Sequence, residues 1–367
     1  MGKTVAFIGT YTEDILFGTG EVLHGHGDGV YVYTLENERL EQREIACTPN
    51  ASYLVLDTAH GHLFTTNERK ETDGHPGGSV SAFAFDKNVL KLHYLNTQRV
   101  DGADPCHVEV DAAGRHLLCA NFMSGSVSVL PIENNGCLGK MCCFIQHEGT
   151  SIDTKRQRGP HAHGVFFTPE NKRVFVPDLG MDHVVCYNID EQTGRLAHCA
   201  QLDIPAPLRG TGPRHMAFHS SGKYMYMNTE MGSTVHTYKY DEATGKTELI
   251  QTLTTIPKGI SHDETSTAAI KIHPNGKLLY VSNRGHDSLA IYSIDEETGL
   301  LTLLNIQPTE GRIPRDFDIS PDGSYMLVAH QSGDDAVLFK IDLENGALSE
   351  IQRIKVPTPI CVKFYEV

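Results

Sequence analysis

A chain of 367 residues with 40% hydrophobic and 21% charged side chains has enough apolar material for a folded core and is not of disordered composition. It carries 31 basic against 46 acidic residues, a formal charge of −15, which disfavours nucleic acid and anionic membrane surfaces as partners. No stretch approaches the roughly 18 consecutive apolar residues of a membrane helix, and the nine cysteines follow no disulfide or zinc spacing. A cytoplasmic protein with reduced thiols is expected.

In chain order, the first segment, VAFIGTYT at 5–12, alternates like a strand and then breaks into a long loop, Leu16 to Asp28, containing His24 and His26. The loop histidines have no third ligand at metal spacing and read as solvent-exposed. GVYVYTL at 29–35 resumes the strand pattern. From Asn50 onward one unit recurs: an apolar strand, a Gly or Asn turn, a second strand, then two more strands. Copies begin at Asn50, Pro105, Pro160, Pro213, Thr267 and Pro314, and in four of them the turn glycine falls nine residues on, at Gly114, Gly222, Gly276 and Gly323. A late hairpin repeats as DEQTGRL from Asp190, DEATGKT from Asp241, DEETGLL from Asp295 and DLENGAL from Asp342.

A repeat of about 45 to 55 residues with four strands is the signature of a propeller blade. The C-terminal Pro359-Ile-Cys-Val-Lys-Phe matches a first strand and the N-terminal segment a second. The sequence therefore predicts an all-β, seven-bladed β-propeller, one domain over 1–367, closed by pairing the two termini. Closure of this kind leaves no free sheet edge.

In a propeller, equivalent positions share a radius and height, so chemistry shows where equivalent positions diverge. The residue ending the second strand reads Tyr11, Glu68, Phe122, Leu179, Glu230, Arg284 and Gln331 around the ring. The residue opening the first strand reads Cys106, His163, Arg214, Ala268 and Arg315, with His107, His161 and His215 beside it. If both positions face one mouth of the channel, His163, Arg214, Glu230, Arg284 and Arg315 converge. Arg forks suit carboxylate or phosphate and a developing oxyanion, while His and Glu move protons. The competing reading is that these charges are salt bridges fixing neighbouring blades; their concentration at two registers favours a site.

The motifs resemble the propeller lactonase family, which includes bacterial 6-phosphogluconolactonases and the carboxy-cis,cis-muconate lactonizing enzyme. The resemblance rests on IGTYT at 8–12, GGSVSAF at 77–83, PCHVEVD at 105–111, GPHAHGV at 159–165, GPRHMAFH at 212–219, SNRGHDSLAIY at 282–292 and PRDFDISPDG at 314–323. It implies a seven-bladed fold, no required metal and no cofactor. It also implies catalytic roles for His163, Arg214, Glu230 and Arg284; beside these, Arg315, His215, His286, Glu68 and His107 are read as supporting, substrate-binding residues.

The expected function is hydrolysis of an anionic sugar-acid lactone, 6-phosphogluconolactone first. Arg214 and Arg284 would hold the anionic group and carbonyl oxygen, and His163 and Glu230 would exchange protons. A muconate-type cycloisomerase could use the same residues, and a non-catalytic propeller is a third possibility. The absence of Trp excludes the Trp-Asp repeat signature. Gly25-His-Gly27 lies in no strand-turn-helix setting, and no GxSxG elbow occurs.

Overall fold

The computed structural model describes residues 3–367. Seven antiparallel four-strand paths lie in sequence order around a ring. The blade that joins the termini is ordered, from the inside out, Pro359–Glu366, Thr4–Thr10, Gly29–Glu36 and Arg39–Cys47. The pairing of Thr4 with Glu366 through Gly9 with Cys361 is the predicted closure. The other inner strands are Ala51–Asp57, Pro105–Val110, Phe166–Phe167, Pro213–Phe218, Ser266–Ile272 and Pro314–Ile319. Helix is confined, among the described residues, to 3-10 turns at Ala200–Leu202 and His262–Glu264.

Strand alternation explains how the blades hold together. Along the first strand of the chain, Val5 and Phe7 pack with Leu54, Leu63 and Phe83 of the following blade. Ala6 and Ile8 point the other way, against Leu327, Leu338 and Val362. Seven such apolar clusters fill the seven blade interfaces. A fully buried large side chain contributes about 1.5–3 kcal/mol, so these interfaces supply much of the stability of the ring. The repeated Asp of the late hairpin organises its turn: the carboxylates of Asp190, Asp241 and Asp295 each accept two backbone N–H groups two and three residues on. The turn glycines Gly114, Gly222, Gly276 and Gly323 have φ of 65–76°, the left-handed region that a side chain disfavours.

Inner strands therefore line the channel at matching heights. Each begins where the chain crosses from the outer strand of the preceding blade, and there the backbone takes left-handed φ at Asn50, Asp104, Gly212, Ile313 and Thr358. The long loop after the first strand is an ordered hairpin, Asp14–Leu16 paired with Val22–His24. Tyr11, Ile15 and Ile360, with Phe17 and Leu23, form its own small core. The expectation for its histidines is met: His24 is exposed beside Asp14, and His26 reaches Asp334 at 3.2 Å.

Candidate active site

A cavity of about 320 Å³ opens at one mouth of the channel. Its walls include Glu68, Phe122, Glu230, Arg284 and Gln331 from second-strand ends, and Cys106, His163 and Arg315 from first-strand starts. Both registers singled out by the repeat comparison thus meet in one space. The hairpin covers it with Ile15, Leu16 and Phe17.

Glu230 is the anchor of one wall. Its carboxylate, 4% exposed, accepts from Arg214 Nε at 3.0 Å, Arg284 Nη2 at 2.9 Å and Arg156 Nη2 at 2.8 Å, and stands 3.5 Å from His163 Nε2. Burial alone would raise its pKa; the guanidiniums of Arg284 and Arg156, then His163 and Arg214, outweigh that and hold it well below the carboxylate range. Such an ion is a weak proton acceptor, which departs from the role expected for it. His163 is pushed well below its ordinary value by burial and by Arg214, so its ring is neutral at physiological pH. Its Nδ1 faces the Cys106 thiol at 4.0 Å.

Arg214 lies under the cavity. Its Nη1 group donates to the Ala268 carbonyl and contacts the His215 ring, and its pKa falls to about 9, chiefly through burial and then Arg284. With these bonds and the one from Nε to Glu230, the guanidinium is held by both Nε and Nη1. His215 and His107 form the next layer down, with ring centroids 5.2 Å apart, and His107 also packs on Tyr53 and Phe166. Neither histidine lines the cavity, contrary to the expectation of substrate contact. His286 is also outside it: its Nδ1 bonds Ser288 Oγ at 2.7 Å on the turn after Arg284.

Arg315 is placed differently. Its guanidinium lies 5.8 Å from the Tyr11 ring centroid and 5.7 Å from that of Phe17, and Nη1 donates to Gln331 Oε1 at 3.1 Å. Among the described residues it makes no ion pair, and neither does Arg312, which lines the same wall. Arg284, too, has a buried Nε without a hydrogen-bond partner.

The opposite wall is acidic. Tyr11, kept protonated by burial, donates to Glu68 Oε2 at 3.1 Å. Asp104, 5% exposed, lines the cavity beside Glu68, and its pKa is raised to about 7 by burial and then by Glu68, against the lowering effect of Lys70.

Repeat reasoning missed Arg156, Arg312 and Asp104. Arg156 sits in the 148–160 loop, outside any blade register; Asp153 Oδ1 accepts from its backbone N–H at 2.7 Å, and Gln157 ties the loop to the Leu179 carbonyl. Asp104 occupies a third register, a residue with left-handed φ immediately before the inner strand, which it shares with Asn50, Gly212, Ile313 and Thr358. Among the described residues no three His, Cys, Asp or Glu side chains are grouped to hold a metal ion.

Seven blades closed by the termini, with a polar cavity at one mouth of the channel, define a lactonase-type propeller. Residues 5–364 match the family model described as lactonase, 7-bladed beta-propeller, and the chain belongs to that family. It is 34% identical over 368 aligned positions to the 6-phosphogluconolactonase of Bacillus subtilis, covering 99% of both chains. A Bacteroides fragilis crystal structure, provisionally assigned as a 6-phosphogluconolactonase, superposes with TM-score 0.89 at 33% identity, covering 99% of this chain and 98% of that one. The periplasmic gluconolactonase PpgL of Pseudomonas aeruginosa gives TM-score 0.89 at 28% identity, with 99% of each chain covered. No helix among the described residues is long and apolar enough to cross a membrane.

Proposed function

We propose that the cavity binds an anionic sugar-acid lactone and hydrolyses it, with 6-phosphogluconolactone the first substrate. The observation that carries this reading is Arg315, a cation inside the cavity, braced by Tyr11 and Phe17 and bound to no carboxylate. Arg315 and Arg312 hold the phosphate, since an uncommitted guanidinium fork matches phosphate geometry. Arg284, on the cavity wall, offers its guanidinium charge to the carbonyl oxygen as negative charge develops there. Glu230 fixes Arg284 and Arg156 in position, and Arg214 and His215 support them from below.

Hydrolysis is favoured over cycloisomerisation because relatives from Bacillus subtilis and Formosa agariphila, 34% and 31% identical, are named 6-phosphogluconolactonases. Nine free cysteines fit a cytoplasmic setting. The test is acid release from 6-phosphogluconolactone, unphosphorylated gluconolactone and a carboxymuconate, assayed in parallel. The expected result is acceleration of the phosphorylated lactone above its spontaneous rate, with less for the neutral one. If no lactone is turned over and 6-phosphogluconate leaves the melting temperature unchanged, the non-catalytic propeller takes first place.

A further inference from the structure

Lactone hydrolysis needs a group that accepts a proton from water, and the wall around Glu230 is poorly suited to supply it: its carboxylate is saturated by three guanidiniums, and the His163 ring, neutral but held well below its ordinary pKa by burial and Arg214, is a weak base. The facing wall differs. Asp104 is 5% exposed, yet no N–H or O–H of the described residues donates to its carboxyl oxygens, and the nearest ammonium, Lys70 Nζ, is 4.0 Å away. The main chain at this point is fully used: the Asp104 N–H donates to the Arg69 carbonyl at 3.0 Å, and its own carbonyl accepts from Phe122 N at 2.9 Å. With φ of 53°, the residue turns its side chain into the cavity at the start of an inner strand. The carboxyl oxygens open onto the cavity, and a carboxyl this far buried with no protein hydrogen-bond donor is costly to ionise; groups held at such a cost cluster at reactive sites.

We propose that Asp104 is the catalytic residue that takes the proton from the hydrolytic water, an assignment that rests on the lactonase reading above. The water O–H bond breaks, its proton passes to an Asp104 carboxylate oxygen, and the water oxygen forms the new bond to the carbonyl carbon. The carbonyl electron pair moves onto oxygen, facing Arg284. As that pair returns, the ring carbon–oxygen bond breaks, and the departing ring oxygen takes the proton back from Asp104. The hydroxy acid then ionises to solvent, which is the acid the assay detects. One carboxyl thus serves both steps and ends in its starting state.

The charges facing Asp104 set the pH at which it can act. Glu68 and Lys70 lie closest, followed by Glu71 and the Arg69–Glu13 pair. Asp14 stands on the hairpin side, and the Tyr11 phenol and Cys106 thiol, both kept protonated by burial, complete the shell. Burial and Glu68 raise Asp104 to about 7, so the ionised, proton-accepting form gains population as pH rises through that value.

Asp104→Asn is the informative variant, because Asn tolerates left-handed φ and preserves the side-chain shape. In the full chain it lowers kcat by about 100-fold or more, leaves KM within about threefold, and abolishes the ascending limb of the kcat/KM profile near pH 7. Its melting temperature rises more at pH 8 than at pH 5, because the variant cannot acquire the buried charge that the native carboxyl carries above its raised pKa. Glu68→Gln keeps the limb but moves it to lower pH. If Asp104→Asn retains kcat and the limb while the native protein hydrolyses the lactone, the Asp104 assignment falls and the lactonase reading stands. A native protein without lactonase activity overturns both.

Discussion

Two buried carboxylates face each other across one cavity and are treated in opposite ways. Glu230 collects three guanidiniums and an imidazole, whereas no described residue donates a hydrogen bond to the Asp104 carboxyl, whose nearest cation, Lys70 Nζ, stands 4.0 Å away. The deeper channel holds carboxylates of both kinds: Glu109 has no side-chain donor among the described residues, and burial raises its pKa to about 7, whereas Asp316 and Asp318 are paired. There, Lys271 reaches Asp318 at 2.9 Å and Asp316 at 3.6 Å, and each aspartate also accepts a backbone N–H, from Phe364 and Val362 respectively. What separates Asp104 from Glu109 is its place on the cavity wall, so the absence of pairing points to chemistry only where the carboxyl also faces the substrate space. The Glu230 cluster organises cations, and the Asp104 wall keeps a base in reserve.

The largest effect that bears on this contrast is on stability. Glu230→Gln leaves Arg156, Arg214 and Arg284 without their shared counterion, and breaking a buried ion cluster costs about 3–5 kcal/mol. Thermal unfolding should show a drop of several degrees, and an unchanged melting temperature would deny Glu230 its structural role. Next comes Arg315→Gln, which removes the uncommitted cation but keeps a polar partner for Gln331. KM for the phosphorylated lactone should rise about 10- to 100-fold, since a hydrogen bond to a charged group contributes about 1.5–3 kcal/mol, while kcat changes less. Phe17→Ala removes one of the two rings bracing Arg315 and should raise the same KM a few-fold, given cation–π energies of about 0.5–2 kcal/mol. The smallest effect is expected for His286→Ala, which disturbs a turn outside the cavity: kcat/KM should stay within about twofold of the native value.

The fold was legible because its signals repeat. The glycines at 114, 222, 276 and 323 and the hairpins from Asp190, Asp241, Asp295 and Asp342 recur at blade spacing, and the seventh blade followed from matching the two ends. Much of the site was legible by the same route, since Glu68, His163, Glu230, Arg284 and Arg315 all line the cavity. What the comparison could not supply was depth. Arg214 and His215 share a strand with cavity height but lie below the floor, and His286 follows Arg284 by two residues yet sits on the outer turn. Strand bulges decide such matters: the inner strand of His215 shifts register between Pro213 and His215, so adjacent residues drop into different layers. Arg156 was invisible because loop residues have no counterpart in the other blades. Asp104 was overlooked for a different reason. Asn50, Asp104 and Gly212 look like ordinary turn residues, and only the left-handed backbone shared with Ile313 and Thr358 reveals that they hold one register at the start of five inner strands.

The most direct test is a crystal structure of the protein with 6-phosphogluconate, the product of the proposed reaction. The phosphate should lie against Arg315 and Arg312, and the new carboxylate carbon should lie between Arg284 and Asp104. A product molecule bound elsewhere, or seated in the cavity with its carboxylate turned away from Asp104, would contradict the division of labour between the two walls.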